Sequence, residues 1–367
     1  MSLPPEFALE YLPRLPKRRD WRIGCAGAGF IMRDCHLVAY RQAGFNSVAI
    51  ASRNCETAKA VAELHHIPKV HATIDELLAD PTIEVLDIAV PPDVQPDMIR
   101  RAVKHKHIRG ILAQKPLAMS VAEARECVEL CHRAGIALAV NHNMRYDQSV
   151  RALKDVLNRG WLGDVVLATI EMRAIPHWMP WAEGLPSLST FIMSIHHLDT
   201  FRYWLGTPDR VLASTRPDPR TKFPHTDGIN LYILEYDSGA RASSWDDVWT
   251  GPVREGSQGD IGIRWRVEGT DGLARGTIGW PSYPAKTPST LDFTSKRFPG
   301  YWFQPRWPEV WFPDAFVGTM AQLLCAIEDG TEPEICGRDN VETIALCAAV
   351  QAAATEHRVT TVKEFLK

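Results

Sequence analysis

Residues 22–32 read Arg22-Ile23-Gly24-Cys25-Ala26-Gly27-Ala28-Gly29-Phe30-Ile31-Met32, and this stretch decides the fold. Its first five residues are mostly apolar and spell a short strand. A turn follows in which Gly27, Gly29 and Met32 occupy a G-x-G-x-x-G pattern, with Met in the third place. A helical pattern then runs over residues 32–43. In this setting the first glycine permits a tight turn. The second lets the backbone approach a pyrophosphate, whose charge suits the N–H groups at the helix start. Phe30 and Ile31 belong to the same turn. Alone, such a turn is an ordinary glycine-rich loop. A strand before it and a helix after it favour dinucleotide binding.

Outward from the turn, strand patterns at 47–52, 85–90, 108–113 and 137–141 alternate with helical ones at 55–65, 73–78, 96–104 and 121–134. This alternation implies βαβ units and a parallel sheet that binds its ligand outside the strands' carboxyl ends. Residues 21–141 are therefore expected to form a Rossmann dinucleotide-binding domain. Residues 1–20 are broken by prolines, carry Lys17-Arg18-Arg19 and lack the apolar stretch of a signal peptide, so they read as an extension.

From residue 142 the texture changes. A helix at 149–159, a long strand at 164–173 and a helix at 195–205 precede β runs at 210–215, 229–236, 241–248, 261–268 and 273–278. Residues 281–308, rich in proline and aromatics, read as a long loop or lid, and helices at 313–327 and 340–356 close the chain. Residues 142–367 are expected to form an α+β domain with a large, mainly antiparallel open sheet, giving an α/β protein overall.

Composition narrows the partners. The chain has 367 residues, with 41 basic and 44 acidic side chains, and no basic block of the kind that nucleic acid or a membrane surface would require. No apolar run reaches the roughly 18 residues of a membrane span. The eight cysteines form no C-x-x-C pair, which points away from a metal site and toward free thiols in a reducing cytoplasm. The expected partner is a small molecule.

Two further stretches bear on chemistry. The second strand ends in Ser52-Arg53 where an acidic residue would hold the ribose 2′-hydroxyl of NAD. The Arg53 guanidinium suits a 2′-phosphate, so NADP is favoured over NAD; stacking on adenine or simple solvation are the alternatives. Gln114-Lys115-Pro116 follows the strand at 108–113. A lysine there points to the ligand crevice and can donate to a hydroxyl or tune its ionisation.

With these motifs in this order, the sequence resembles the Gfo/Idh/MocA family of oxidoreductases. The resemblance covers nearly everything after Trp21. It includes the glycine turn, the Lys115-Pro116 pair, the turn Gly160-Trp161-Leu162-Gly163-Asp164 and the segment His196-His197-Leu198-Asp199. It implies hydride transfer with NAD or NADP on sugars, cyclitols and related hydroxy compounds. It also implies a homodimer or homotetramer built through the open sheet. Lys115 then takes the catalytic lysine position and His196 the catalytic histidine position. Pro91, Gln95 and Gln114 join the glycine turn, Ser52 and Arg53 at the cofactor. Three residues depart from the pattern: Gln114 replaces the usual Glu, Ile192 replaces an Asp that assists the histidine, and Gln95 stands near the place of a common His. Glu183, Asp246 and His177 are candidates to compensate for Ile192.

On a helix, His196, Asp199 and Tyr203 share one face, whereas His197 aligns with Phe201 and Trp204. His197 therefore reads as a core residue and His196 as the general acid/base, its ring held by Asp199 unless that carboxylate pairs elsewhere. Arg145 and Tyr146 follow the last Rossmann strand; Arg145 binds a substrate oxygen or carboxylate, or makes a surface salt bridge. Ten of the twelve tryptophans come after residue 170. Trp178 and its neighbours suit a carbohydrate ring, or a packed core equally well. The leading expectation is an NAD(P)-dependent sugar or polyol dehydrogenase without a metal. The alternatives are a redox-neutral isomerase or lyase that cycles its cofactor, and a ligand sensor on the same scaffold.

Overall fold

A computed structural model describes residues 8–173, 180–185, 187, 189–221, 223–247, 261–280 and 285–367. The chain divides into two compact units, each discontinuous in sequence. One holds Pro13–Asn143 and Pro313–Ile344, the other Met1–Leu12, Met144–Phe312 and Ala345–Lys367. The principal crossing lies two residues beyond the expected one at 141. The expected extension is shared: residues 8–12 belong to the second unit and residues 13–20 strap the first. There the Arg18 guanidinium forks onto Glu84 at 3.0 and 2.7 Å and lies 4.1 Å over the Trp21 ring.

The first unit is built on a parallel sheet. Its strands are β1 (Arg22–Ala26), β2 (Asn46–Ala51), β3 (Lys69–Val70), β4 (Val85–Ile88), β5 (Gly110–Ala113) and β6 (Ala137–Val140), in the order β3-β2-β1-β4-β5-β6. The order reverses at β1 and β4, where such sheets open their ligand crevice. β4 and β5 are buried along their whole length, as strands covered on both faces must be. Three of the connecting helices start where a short polar side chain caps them. Asn54 accepts from Glu56 and Thr57 at the start of the helix Cys55–His65, Thr73 from Glu76 and Ser120 from Glu123. The helix expected over 32–43 opens as a π-helical turn, Ile31–His36, before α1 (Leu37–Ala43). The late helix Phe316–Asp329 packs on β5 and β6.

The second unit carries a seven-stranded sheet. β7 (Val165–Arg173), β8 (Arg210–Arg216), β9 (Ile229–Glu235), β10 (Arg241–Asp247), β11 (Gly262–Gly269), β12 (Gly272–Ile278) and β13 (Thr290–Ser295) lie in the order β13-β12-β11-β7-β10-β9-β8. Only β7 and β10 are parallel neighbours; the other pairs are antiparallel. Side chains alternate as the pleat demands: Ala168, Ile170 and Met172 are buried with Tyr232 and Leu234. Leu231 and Ile233 point the other way and are 47% and 46% exposed.

β13 corrects the sequence expectation of a loop throughout 281–308. Residues 290–295 pair along β12, and Phe293 exchanges backbone hydrogen bonds of 3.0 and 2.8 Å with Phe303. Prolines on either side mask a six-residue run that pairs with the strand before it. Residues 281–284 and the expected strand end at 248 lie outside the described residues.

Asp147 caps the helix Gln148–Asn158 from a fully buried position. One oxygen accepts from the Ser149 and Val150 amides and the Ser149 hydroxyl, and the other from Ser289. Burial outweighs these donors and lifts the carboxyl from 3.8 to about 6. Between these values the folded chain holds a proton that the unfolded chain has released, so stability falls as pH rises through the window. The loss is roughly 3 kcal/mol. Asp147→Asn keeps an acceptor for the cap and removes the charge. Its Tm relative to the native chain should therefore rise between about pH 4 and about pH 7. A pH-independent difference in thermal melts would contradict this.

Candidate active site

In the parallel-sheet unit the glycine turn follows β1. Gly27 has φ of +108°, and a Cβ there would collide with the Ala89 carbonyl oxygen. Its N–H donates to Ala51 at 2.8 Å, so the turn is pinned between β2 and β4. Gly29 is different. A Cβ would meet nothing within 4 Å, so the protein's own packing does not require glycine there. The open space lies over a helix start whose N-cap residue, Phe30, makes no side-chain cap hydrogen bond. Backbone donors facing an open cradle fit the pyrophosphate of a dinucleotide. Phe30 and Ile31 are half-buried beside it, while Met32 is fully buried and packs in the core.

Beyond β2, Ser52 is half-buried and Arg53 exposed, and Arg53 makes no ion pair among the described residues. Pro91, half-buried, begins the turn after β4 and accepts from the Val94 amide at 3.2 Å. Gln95 is 0% exposed and wholly engaged with the chain. Its Nε2 donates to the carbonyls of Gln114, Pro116 and Leu117 at 2.9, 3.1 and 3.0 Å, and its Oε1 accepts the Gln114 amide at 2.6 Å. It clamps the loop carrying Lys115, which is half-buried beyond the end of β5.

The same unit contains a buried polar chain that the sequence reading missed. His36, at the end of the π turn, has Nδ1 2.7 Å from Asp87 of β4, and the Tyr40 hydroxyl donates to the same carboxylate oxygen at 2.7 Å. Gln114 and Asn141 reach His36 Nε2 from the other side, each at 2.9 Å. The readable signal was a lone carboxylate in the apolar run Val85-Leu86-Asp87-Ile88, since a buried charge requires partners.

In the mixed-sheet unit the helix Ile195–Leu205 carries the histidines. His196 is 6% exposed and meets the Trp311 ring edge-on, with centroids 5.8 Å apart. Asp199 faces Arg145: the guanidinium forks onto both its oxygens at 2.7 and 2.6 Å, with both groups buried. Asp199 thus pairs away from the His196 ring, and the Arg145 salt bridge, expected at the surface, is buried. Tyr146 is buried under the Arg151 guanidinium, which lies 4.9 Å over its ring.

His197 is fully buried, and its Nδ1 lies 2.8 Å from Asp246. Asp246 also accepts from Ser194 and Ser244. Of the candidates to compensate for buried Ile192, Asp246 serves His197 and Glu183 is exposed. His177 and Trp178 lie outside the described residues. No cluster of three potential metal ligands occurs among the described residues. No described helix is long and apolar enough to cross a membrane.

Comparison with known proteins gives the family and the fold. The family described as "Oxidoreductase family, NAD-binding Rossmann fold" matches residues 21–142, and the "GFO/IDH/MocA C-terminal domain" matches residues 150–275. The chain is similar to the 1,5-anhydro-D-fructose reductase of Ensifer adhaerens, with 27% identity over 343 residues covering 91% of this chain and 96% of the relative. It is also similar to a D-xylose 1-dehydrogenase (NADP(+)) of Haloferax volcanii, with 27% identity over 342 residues, 90% of this chain and 96% of the relative. The fold matches that of an Agrobacterium radiobacter oxidoreductase in complex with NAD+, L-tartaric acid and magnesium. There the TM-score is 0.80 at 21% identity, covering 94% of this chain and 99% of that one. The two family matches, on a chain whose first unit has the 3-2-1-4-5-6 sheet order, place it in the Gfo/Idh/MocA family of oxidoreductases.

Proposed function

We propose that this protein is an NAD(P)-dependent dehydrogenase that moves a hydride to or from a secondary alcohol carbon of a sugar, sugar acid or cyclitol. The observation that carries the reading is Lys115, held on a loop clamped by Gln95 at the carboxyl end of β5, in the unit that bears the open Gly29 cradle. The sugar-converting relatives support the substrate class.

When bound, the nicotinamide supplies the hydride acceptor or donor. The chain's residues supply the remainder. The turn at Gly29 and the helix start that follows it hold the pyrophosphate. Arg53 takes the 2′-phosphate of NADP, the cofactor favoured over NAD. The amine of Lys115 removes the hydroxyl proton as the alcohol becomes a carbonyl, and returns it in the reverse direction. His196 acts as a second acid/base group. Arg145 and Asp199 brace the helix that carries it. The partner is a carbohydrate-like small molecule, and the working compartment is the cytoplasm.

Lys115→Ala should lower kcat/KM by about a thousandfold, the usual worth of a positioned acid/base group, while nucleotide affinity holds. A panel of sugars, aldonates and cyclitols followed by nicotinamide absorbance measures this, and full activity in the variant refutes the assignment. Substrate turnover without net absorbance change would instead indicate an internal redox cycle.

Arg53→Ala should raise the KM for NADP by roughly ten- to a hundredfold, the loss of a charge-assisted pair, and leave that for NAD nearly unchanged. Equal effects on both nucleotides would remove Arg53 from the 2′-phosphate.

The protein is further proposed to be a homodimer or homotetramer joined through the open sheet face, where Leu231, Ile233 and Leu167 share one side. Ile233→Asp should shift sedimentation to the monomer, and an unchanged sedimentation coefficient would exclude that face.

A further inference from the structure

Asp87 is 0% exposed on a central strand of the parallel sheet, between Leu86 and Ile88. A carboxylate in such a place persists only where donors meet it. Two donors converge on one of its oxygens: His36 Nδ1 at 2.7 Å and the Tyr40 hydroxyl at 2.7 Å. Burial and the nearby Asp87 push the Tyr40 phenol well above its usual range, so it remains a donor.

The His36 imidazole is itself 0% exposed. A proton on Nδ1 directed at Asp87 leaves Nε2 as a lone-pair acceptor. Two carboxamide nitrogens face that lone pair, Gln114 Nε2 and Asn141 Nδ2, both at 2.9 Å. Two N–H donors aimed at one ring nitrogen are compatible only with an unprotonated Nε2. The tautomer of His36 therefore decides which way each amide stands.

We infer that Asp87, acting through His36, is a positioning residue that fixes the Gln114 carboxamide with its NH2 group inward, so that the residue preceding Lys115 serves the bound ligand as a hydrogen-bond acceptor. A carboxylate at position 114 would accept whichever way it turned. A carboxamide offers an acceptor on one branch and donors on the other, and it needs a fixed orientation to do the same work. His36 sets that orientation through a chain 0% exposed as far as Gln114, which is half-buried. The group accepted is an N–H or O–H donor, from either the carboxamide of a nicotinamide nucleotide or a substrate hydroxyl. This last step rests on the dehydrogenase reading; the orientation of Gln114 does not.

Two measurements test the inference. In protein carrying nitrogen-labelled histidine, long-range proton–nitrogen correlation reports the His36 tautomer, with the signal assigned by its loss in His36→Gln. A proton on Nδ1 with bare Nε2 is expected; a proton on Nε2, with or without one on Nδ1, overturns the proposal. The second measurement uses Asp87→Leu, in which Nδ1 faces only the Tyr40 hydroxyl at 3.1 Å. That hydroxyl then donates to Nδ1, the proton moves to Nε2 and the amide must turn over. Affinity for reduced NADP, read by fluorescence, or the substrate KM should worsen by about tenfold. A loss of nucleotide affinity assigns the donor to the nicotinamide, and a loss confined to substrate KM assigns it to the substrate.

Adding Gln114→Glu to Asp87→Leu should restore the affected constant to within about threefold, because the carboxylate accepts in either orientation. Packing damage from Asp87→Leu would not be repaired this way. Normal constants in Asp87→Leu, or no rescue in a folded double variant, overturn the proposal. If the native chain binds no nicotinamide nucleotide, the functional reading fails, while the tautomer measurement still decides the orientation of Gln114.

Discussion

The parallel-sheet unit depends on one close approach. At Gly27 the backbone leaving β1 presses against the Ala89 carbonyl, and its amide bonds to Ala51. Three strands meet there at their carboxyl ends. The contact leaves no room for a side chain, and the positive φ suits glycine. From it the chain turns into the helix start at Phe30, and Gly29 faces open space. The cradle is a consequence of how tightly β1, β2 and β4 converge. The π turn Ile31–His36 continues the same path and delivers His36 to Asp87.

Local signals were legible and distant ones were not. The glycine turn, the helix Val121–Ala134 and the helix Ile195–Leu205 follow from neighbouring residues: apolar spacing, Ser120 as a cap, and glycine where the backbone demands it. β13 was hidden because its strand character comes from pairing with β12, while the prolines around it speak for a loop. The site divides along the same line. Lys115 and the cradle could be read from their place at strand ends. Helical spacing could show that His196 and Asp199 share a face, but not that Arg145 holds Asp199 across 54 positions. Asp87 stood out as a charge in an apolar strand, yet nothing local named His36, 51 positions away.

The two adjacent histidines show how a helix assigns roles by rotation. His197 turns to Asp246 and is fully buried, fixed by a carboxylate that Ser194 and Ser244 also address. His196, one step around, meets Trp311 and retains slight exposure. The departures at 192 and 114 are accommodated differently. Ile192 joins the buried face of the π turn Ser189–Ser194. Gln114 enters a hydrogen-bond chain that ends in a buried carboxylate.

The discontinuity of the first unit bears on how the protein is made. The helix Phe316–Asp329 lies against β5 and β6, and residues 17 and 18 donate backbone hydrogen bonds to Glu328 on that helix. A ribosome releases the six strands of the parallel sheet long before it releases this helix. Until then the apolar surface over β5 and β6 has no cover of its own. The nucleotide-binding half of the chain therefore cannot mature as an independent N-terminal module during synthesis. It stays dependent on late-emerging residues, and on whatever shields that surface in the interval.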